Sequence, residues 1–252
     1  MISAIARGGR LTLRRGLATI RVERSAASAD IFVALVEGRG HCEALCNANG
    51  VDAPPEGGFF DGEEGTLAWS HSGVQRVLFA GLGALGSDAK EPTQEAILAA
   101  SGAAFEELAA RKVESAVVAL PLTACPSTTA ALVATAAVLG DYSFDRHITD
   151  PERRRFRLQS VSLLLPPETS FEDLKAVRAA TERAVAVAES TNFARDMGNA
   201  RPQEATPAFY EAAAASLASE YPGSVTMRVL QEPELREEGL NMLAAVGQAS
   251  VR

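Results

Sequence analysis

Nothing between Phe171 and about Met197 breaks a helix: the run holds neither Pro nor Gly. Ser170 can cap its start, with Asp173 three residues later as a short-armed capping box. Asn199 to Pro202 ends it. Helices in globular domains average about 10–14 residues, so one of this length fits poorly inside a small domain. It suits an element that links two bodies. The chain therefore divides into a large region before residue 168, the helix itself over 168–198, and a short region over 199–252.

The large region alternates between strand-like and helix-like patterns. Leu17–Val22, Ile31–Val36, Val74–Phe79, Ala116–Leu122 and Val161–Leu165 are short apolar runs with β-branched members, predicted as strands. A helix is predicted from Pro92 to about Lys112, and another from an N-cap at Ser127 to Gly140. Strands alternating with helices predict an α/β fold over residues 16–167, with a mixed, largely parallel sheet and flanking helices. After the linking helix, Thr206–Pro207 opens a helix to about Ser219. Ser224–Leu230 alternates as a strand with Val225, Met227 and Val229 on one face, and Glu232–Glu238 is helical with Gly239 as its cap. Leu240–Val246 is again apolar. A lone strand does not stabilise itself, so residues 199–252 are expected to be the incomplete start of a second α/β domain.

The net charge of −8 without a basic stripe argues against sequence-independent nucleic-acid binding. No stretch of about 18 apolar residues exists, which argues against a membrane span. Three cysteines, Cys42, Cys46 and Cys125, form no disulfide pattern and fit a reducing compartment. Residues 1–15 stand apart. The first 21 residues carry Arg7, Arg10, Arg14, Arg15 and Arg21, and the first acid is Glu23. An Arg-rich, acid-free start resembles a mitochondrial targeting segment; the alternative is a basic tail on a cytoplasmic protein.

Each chemical constellation has a plain competing reading. Gly81, Gly83 and Gly86 match G-x-G-x-x-G after a strand, as a dinucleotide loop does. Ser87 to Glu91 separate the last Gly from the helix, however, and no acid closes the next strand to hold a ribose. A Gly-rich strand exit fits better. His41, Cys42 and Cys46 have helical spacing but lack a fourth metal ligand, so buried thiols are the simpler reading. Asp61, Glu63 and Glu64 read as a solvated turn, Asp150–Arg155 as an exposed loop of mixed charge, and His71 and His147 stand without a nearby nucleophile. These readings assign no catalytic, metal or cofactor-binding residue.

Several stretches carry a family resemblance. Thr191-Asn192-Phe193-Ala194-Arg195-Asp196-Met197-Gly198-Asn199 resembles the N-x-A-R-D-x-x-N signature of leucyl aminopeptidases, the M17 metallopeptidases, and Pro202 and Thr206-Pro207 follow at the family's spacing. Ala244 to Ser250 is similar to a segment ending A-V-G-Q-G-S, with Ala249 in place of Gly. Gly140 to Arg146 is similar to G-x-Y-x-F-x-x-Y, with His147 in place of the final aromatic, and Arg76 to Gly83 to R-V-x-x-x-G-L-G.

The resemblance implies a macro-domain-like N-terminal domain, a linking helix and a C-terminal peptidase domain. It also implies removal of N-terminal residues from peptides by two divalent metals, zinc or manganese, in a hexamer. The family's ligand motifs, resembling G-K-G-x-x-x-D-S-G-G and N-T-D-A-E-G-R, occur nowhere in the 252 residues, so no catalytic or metal residue carries over. The expectation is the N-terminal part of such an enzyme, inactive as 1–252. The alternative is a non-catalytic binding or assembly subunit derived from the family. A third idea is a ligand held by the front domain near Gly81–Gly86, as macro domains hold ADP-ribose.

Overall fold

The computed structural model describes residues 3–7, 10–14, 19–23, 29–37, 42–43, 45–47, 52, 60–73, 75–83, 91–121, 125–165 and 169–247. The chain forms two compact units, Met1–Phe193 and Ala194–Arg252.

The first unit is built on a six-stranded sheet of β3 (Thr19–Glu23), β4 (Ile31–Val36), β5 (Leu67–Ser72), β6 (Gln75–Gly81), β7 (Ser115–Ala119) and β8 (Ser160–Leu164). Their spatial order is β3-β8-β7-β4-β6-β5. All neighbours run parallel except β5, which pairs antiparallel with β6. This is the mixed, largely parallel sheet the apolar runs predict. Two further strands, β1 (Ser3–Arg7) and β2 (Arg10–Arg14), pair antiparallel as a separate two-stranded sheet within the basic N-terminal stretch.

Strands of a parallel sheet are covered on both faces and so read as continuous apolar runs. In β4, Ile31, Val33 and Leu35 enter one core, while Phe32, Ala34 and Val36 enter the other. The first core lies under helices α1 (Gln94–Ala110), α2 (Pro126–Gly140) and α3 (Phe171–Asn199), which contribute Phe105, Leu108, Val133, Val177 and Val185. The second core takes Cys42, Leu45 and Cys46 from a helical stretch on the opposite face. Alanines such as Ala100, Ala104, Ala130 and Ala134 are fully buried in α1 and α2, which pack closely on one another.

Helix α3 spans 29 residues and buries a single stripe, Val177, Thr181, Val185, Ala188 and Asn192, spaced three or four apart. Ser170 caps it as expected. Its hydroxyl accepts the Asp173 N–H at 3.1 Å and donates to the Asp173 carboxylate at 2.7 Å.

Three expectations need correction. Strand β5 is absent from the sequence reading because Leu-Ala-Trp-Ser-His-Ser has weak alternation. Pairing with β6 through a tight reversal at Gly73, where φ is 59°, forms it nonetheless. The N-cap of α2 is Cys125, not Ser127, because Pro126 takes the first helical position, where its missing N–H costs nothing. Residues 225–230 form no strand, since no described strand in that unit offers pairing partners, and Val225 and Val229 are exposed.

In the second unit, α4 (Pro207–Glu220) is capped by Thr206, whose hydroxyl accepts the Phe209 N–H. Helix α5 (Glu232–Glu237) ends at Gly239, where φ is +77°. There Gly239 N–H donates to Arg236 O at 3.1 Å and Leu240 N–H to Leu235 O at 2.8 Å, a Schellman closure that needs the left-handed residue. The apolar run Leu240–Val246 forms helix α6 (Asn241–Gly247), of which only Ala244 is buried.

Candidate functional site

In an open parallel sheet a ligand sits beyond the carboxyl ends of the strands, where strand order reverses. Here that point is β4, which β6 flanks on one side and β7 on the other. The exits concerned are Glu37 after β4, Gly81–Gly83 after β6, and Leu120–Pro121 after β7.

A phosphate cradle needs free backbone N–H groups. The Gly81 N–H donates to Thr66 O at 2.9 Å, Leu82 N–H to Val36 O at 2.8 Å, and Gly83 N–H to Gly62 O at 2.9 Å. All three donors are spent on neighbouring protein. The turn over residues 61–66 lies so close that a Cβ on Gly81 would stand 2.1 Å from Glu63 O. Gly81 is therefore required for close approach of that turn, and Gly83, with φ +85°, for the bend that follows. Gly86 lies outside the described residues.

The acidic turn is organised by its own backbone. Asp61 accepts the Glu63 N–H at 3.0 Å, and Glu63 O accepts both the N–H and the hydroxyl of Thr66. Glu63 and Glu64 are exposed, as a bracing turn allows and as the solvated-turn reading expects. Cys42 and Cys46 are each 1% exposed and packed in the second core. A hydrogen bond with Cys42 holds the Cys46 thiol below its usual range, against burial and the nearby Asp52 charge. His41 lies outside the described residues. His71 is exposed on β5 opposite Arg76, and His147 packs edge-on against Phe144. Among the described residues no three His, Cys, Asp or Glu side chains gather as metal ligands. The described acids, including those of 194–247, thus do not fit a two-metal centre.

Three polar positions escape the sequence reading. Cys125 is exposed at the start of α2. Its thiol is held low by the Ser127 hydroxyl, 3.4 Å away, and by Thr128. The Cys-Pro-Ser order at a helix start is the available signal. Asp141, 1% exposed at the end of α2, accepts the Leu158 N–H at 3.2 Å. Burial pushes its carboxyl up to about 6, against the Leu158 hydrogen bond and the charges of Arg157 and Arg155. It fixes the chain entering β8 and so explains the acid within the Gly140–Arg146 motif. Trp69 donates its indole N–H to Glu107 at 2.8 Å, and Arg111 pairs with Glu107 and stacks over the Trp69 ring. Those two partners, Arg111 first, hold the Glu107 carboxyl below its ordinary range.

The N-x-A-R-D-x-x-N motif has a structural part. Asn192, 7% exposed, donates its amide to Val138 O at 3.0 Å and so ties α3 to the last turn of α2. Arg195, Asp196 and Asn199 occupy the final turns of α3, where Arg195 and Asn199 are exposed and Asp196 is half-buried.

Comparison with known proteins places these features. Residues 60–151 match the N-terminal domain of the cytosol aminopeptidase family, and residues 192–252 match the catalytic domain of the same family. Together the matches take in more than half of the chain. A probable cytosol aminopeptidase of Geobacter sp. (strain M21) is 29% identical over 196 residues, covering 76% of this chain and 38% of the relative. One from Roseiflexus castenholzii is 33% identical over 182 residues, covering 71% and 35%. The chain thus spans little more than a third of the length of these relatives.

Among solved structures, the bottromycin maturation enzyme BotP in complex with Mn is similar with a TM-score of 0.66 and 25% identity. That match covers 89% of this chain and 43% of the other. A tomato leucine aminopeptidase variant shares the fold, with a TM-score of 0.65 and 18% identity over 94% of this chain and 48% of that one. The chain belongs to the cytosol aminopeptidase family, the M17 leucyl aminopeptidases, and corresponds to its N-terminal domain and part of its catalytic domain.

Proposed function

We propose that this chain supplies the non-catalytic front of a metal-dependent aminopeptidase that removes N-terminal residues from peptides. The supporting observation is the order of the two family matches, the N-terminal domain over 60–151 and the catalytic domain over 192–252. The activity, and with it two divalent cations of the zinc or manganese type, belongs to a polypeptide carrying the rest of that catalytic domain. The similar BotP enzyme, solved as a complex with Mn, supports this choice of metal. A hexamer is the expected assembly of the whole protein. The five arginines among residues 1–21 support mitochondrial import. No specific observation favours the non-catalytic subunit as an alternative.

The test is to sequence the transcript past codon 252 and assay both products on a leucyl amide with added manganese or zinc. The expected result is an inactive 1–252 and an active longer product. Turnover by 1–252 would overturn the reading. Fusion of residues 1–25 to a fluorescent protein should give mitochondrial signal, and a diffuse cytosolic signal would reject import.

A further inference from the structure

A patch of cations in the first unit has no part in the aminopeptidase reading. Helix α1 closes with a Schellman arrangement, in which Val113 N–H donates to Leu108 O at 3.0 Å and Lys112 N–H to Ala109 O at 3.1 Å. The left-handed position belongs to Lys112, with φ 56°, the only non-glycine residue with positive φ among those described. Gly is the usual occupant, and a lysine there is strained by about 1 kcal/mol. Lys112 lines two cavities. One, of about 400 Å³, is bounded by Lys112, Arg154, Arg155 and Arg157 against Asp145 and Glu152. Asp145 is already taken by Arg157 at 3.3 Å. The other, of about 640 Å³, shares Lys112, Arg155 and Phe156 and continues over Leu67, Ala103 and Ala109, with Glu106 and Glu107 at its side. Glu107 is held by Trp69 and Arg111. Neither Lys112 nor Arg155 forms an ion pair with an acid among the described residues.

We infer that these joined cavities bind a small organic phosphate. Its phosphate would lie between Lys112 and Arg155, and its apolar ring along Phe156 in the larger cavity. Lys112 and Arg155 line the same concave site, and a guanidinium together with an ammonium suits a phosphate dianion. The cavities have the size of ordinary small-molecule sites. The cationic excess is confined to the smaller cavity, where Lys112, Arg154, Arg155 and Arg157 face Asp145 and Glu152, whereas Glu106 and Glu107 balance Lys112 and Arg155 in the larger one. Lys112 and Val113 precede β7, so this place lies at the amino end of that strand, away from the sheet's carboxyl edge.

Calorimetric titration of the full chain with phenyl phosphate, inorganic phosphate and benzoate tests the assignment. Phenyl phosphate should bind about tenfold tighter than either of the others, which lack the ring or the dianion. Lys112→Gly and Arg155→Gln should each weaken phenyl phosphate binding by about tenfold. Lys112→Gly should also raise the melting temperature, because the left-handed residue is relaxed. That rise shows the variant is folded. A better-melting Lys112→Gly that binds phenyl phosphate as the parent does would overturn the inference. So would absence of phenyl phosphate binding to the parent, or equal binding of all three probes.

Discussion

The two units of this chain are made from similar apolar material and use it differently. In the first, all of β4 and most of β6 vanish from solvent: Ile31 through Val36 and Val77 through Ala80 are all 4% exposed or less. In the second, among the described residues only Ala244 is buried, while Met242, Leu243 and Val246 are 85%, 62% and 81% exposed. The second unit nonetheless has well-formed helix ends, including the Gly239 closure and the Gln231 N–H to Glu234 carboxylate bond of 2.7 Å. Local sequence is enough to start and stop helices, through caps and left-handed residues. It is not enough to bury them, which requires a partner surface. Residues 194–252 carry the local instructions of a catalytic domain whose family relatives are far longer.

The largest effects should come from the first unit. Phe79→Ala removes a fully buried ring between strands and against Phe60. It should cost about 3–5 kcal/mol of unfolding free energy, read by denaturant titration of the first unit's transition. A loss below about 1 kcal/mol would mean the core is loosely packed.

Asp141 should give the next effect, and its sign is specific. Its carboxyl is raised from 3.8 to about 6, so the folded chain takes up a proton that the unfolded chain does not between those values. Its contribution therefore favours folding at low pH and is lost as pH rises through about 6, by on the order of 3 kcal/mol. Asp141→Asn should flatten this part of the pH–stability profile and stabilise the chain at about pH 7. A profile unchanged by the substitution would remove the account of Asp141 as a buried acid.

Asn192→Ala should cost about 1–3 kcal/mol by leaving Val138 O without its amide donor. Val138→Ala, which keeps the carbonyl, should not abolish the effect of the Asn192 change. At the small end, Met242→Ser should shift stability by about 0.5 kcal/mol or less, as expected of an exposed side chain. A loss like that of Phe79→Ala would erase the contrast between the units. Native alkylation offers a parallel check. Iodoacetamide should modify Cys125, exposed and held low by Ser127, well before the buried Cys42 and Cys46.

Much of the fold is legible in the sequence because parallel strands and long helices announce themselves. Ile31–Val36 is readable to the residue because both faces are buried, and α3 because nothing interrupts it. Strand β5 is not, since an edge strand with half-exposed side chains owes its existence to β6. The opposite error falls on Val225, Met227 and Val229, whose alternation is a strand pattern without a sheet to join. The Gly81–Gly83 exit is legible from spacing. Its reason, the contact with Gly62 and Glu63, joins segments about twenty residues apart and is invisible to local pattern. Asp141, Cys125 and the Lys112–Arg155 cavities depend on what burial or a helix end does to a side chain, so sequence alone cannot rank them.

Hydrogen exchange on the full 252-residue chain tests the contrast most directly. The amides of β4 and β6, residues 31–36 and 75–81, should be protected to nearly the global unfolding free energy of the first unit. Those of residues 225–247 should exchange through low-energy local opening, even within α5 and α6. Equal protection of 225–247 and 75–81 in a monomeric chain would contradict the account. It would mean that a packing partner for Met242, Leu243 and Val246 is already in place.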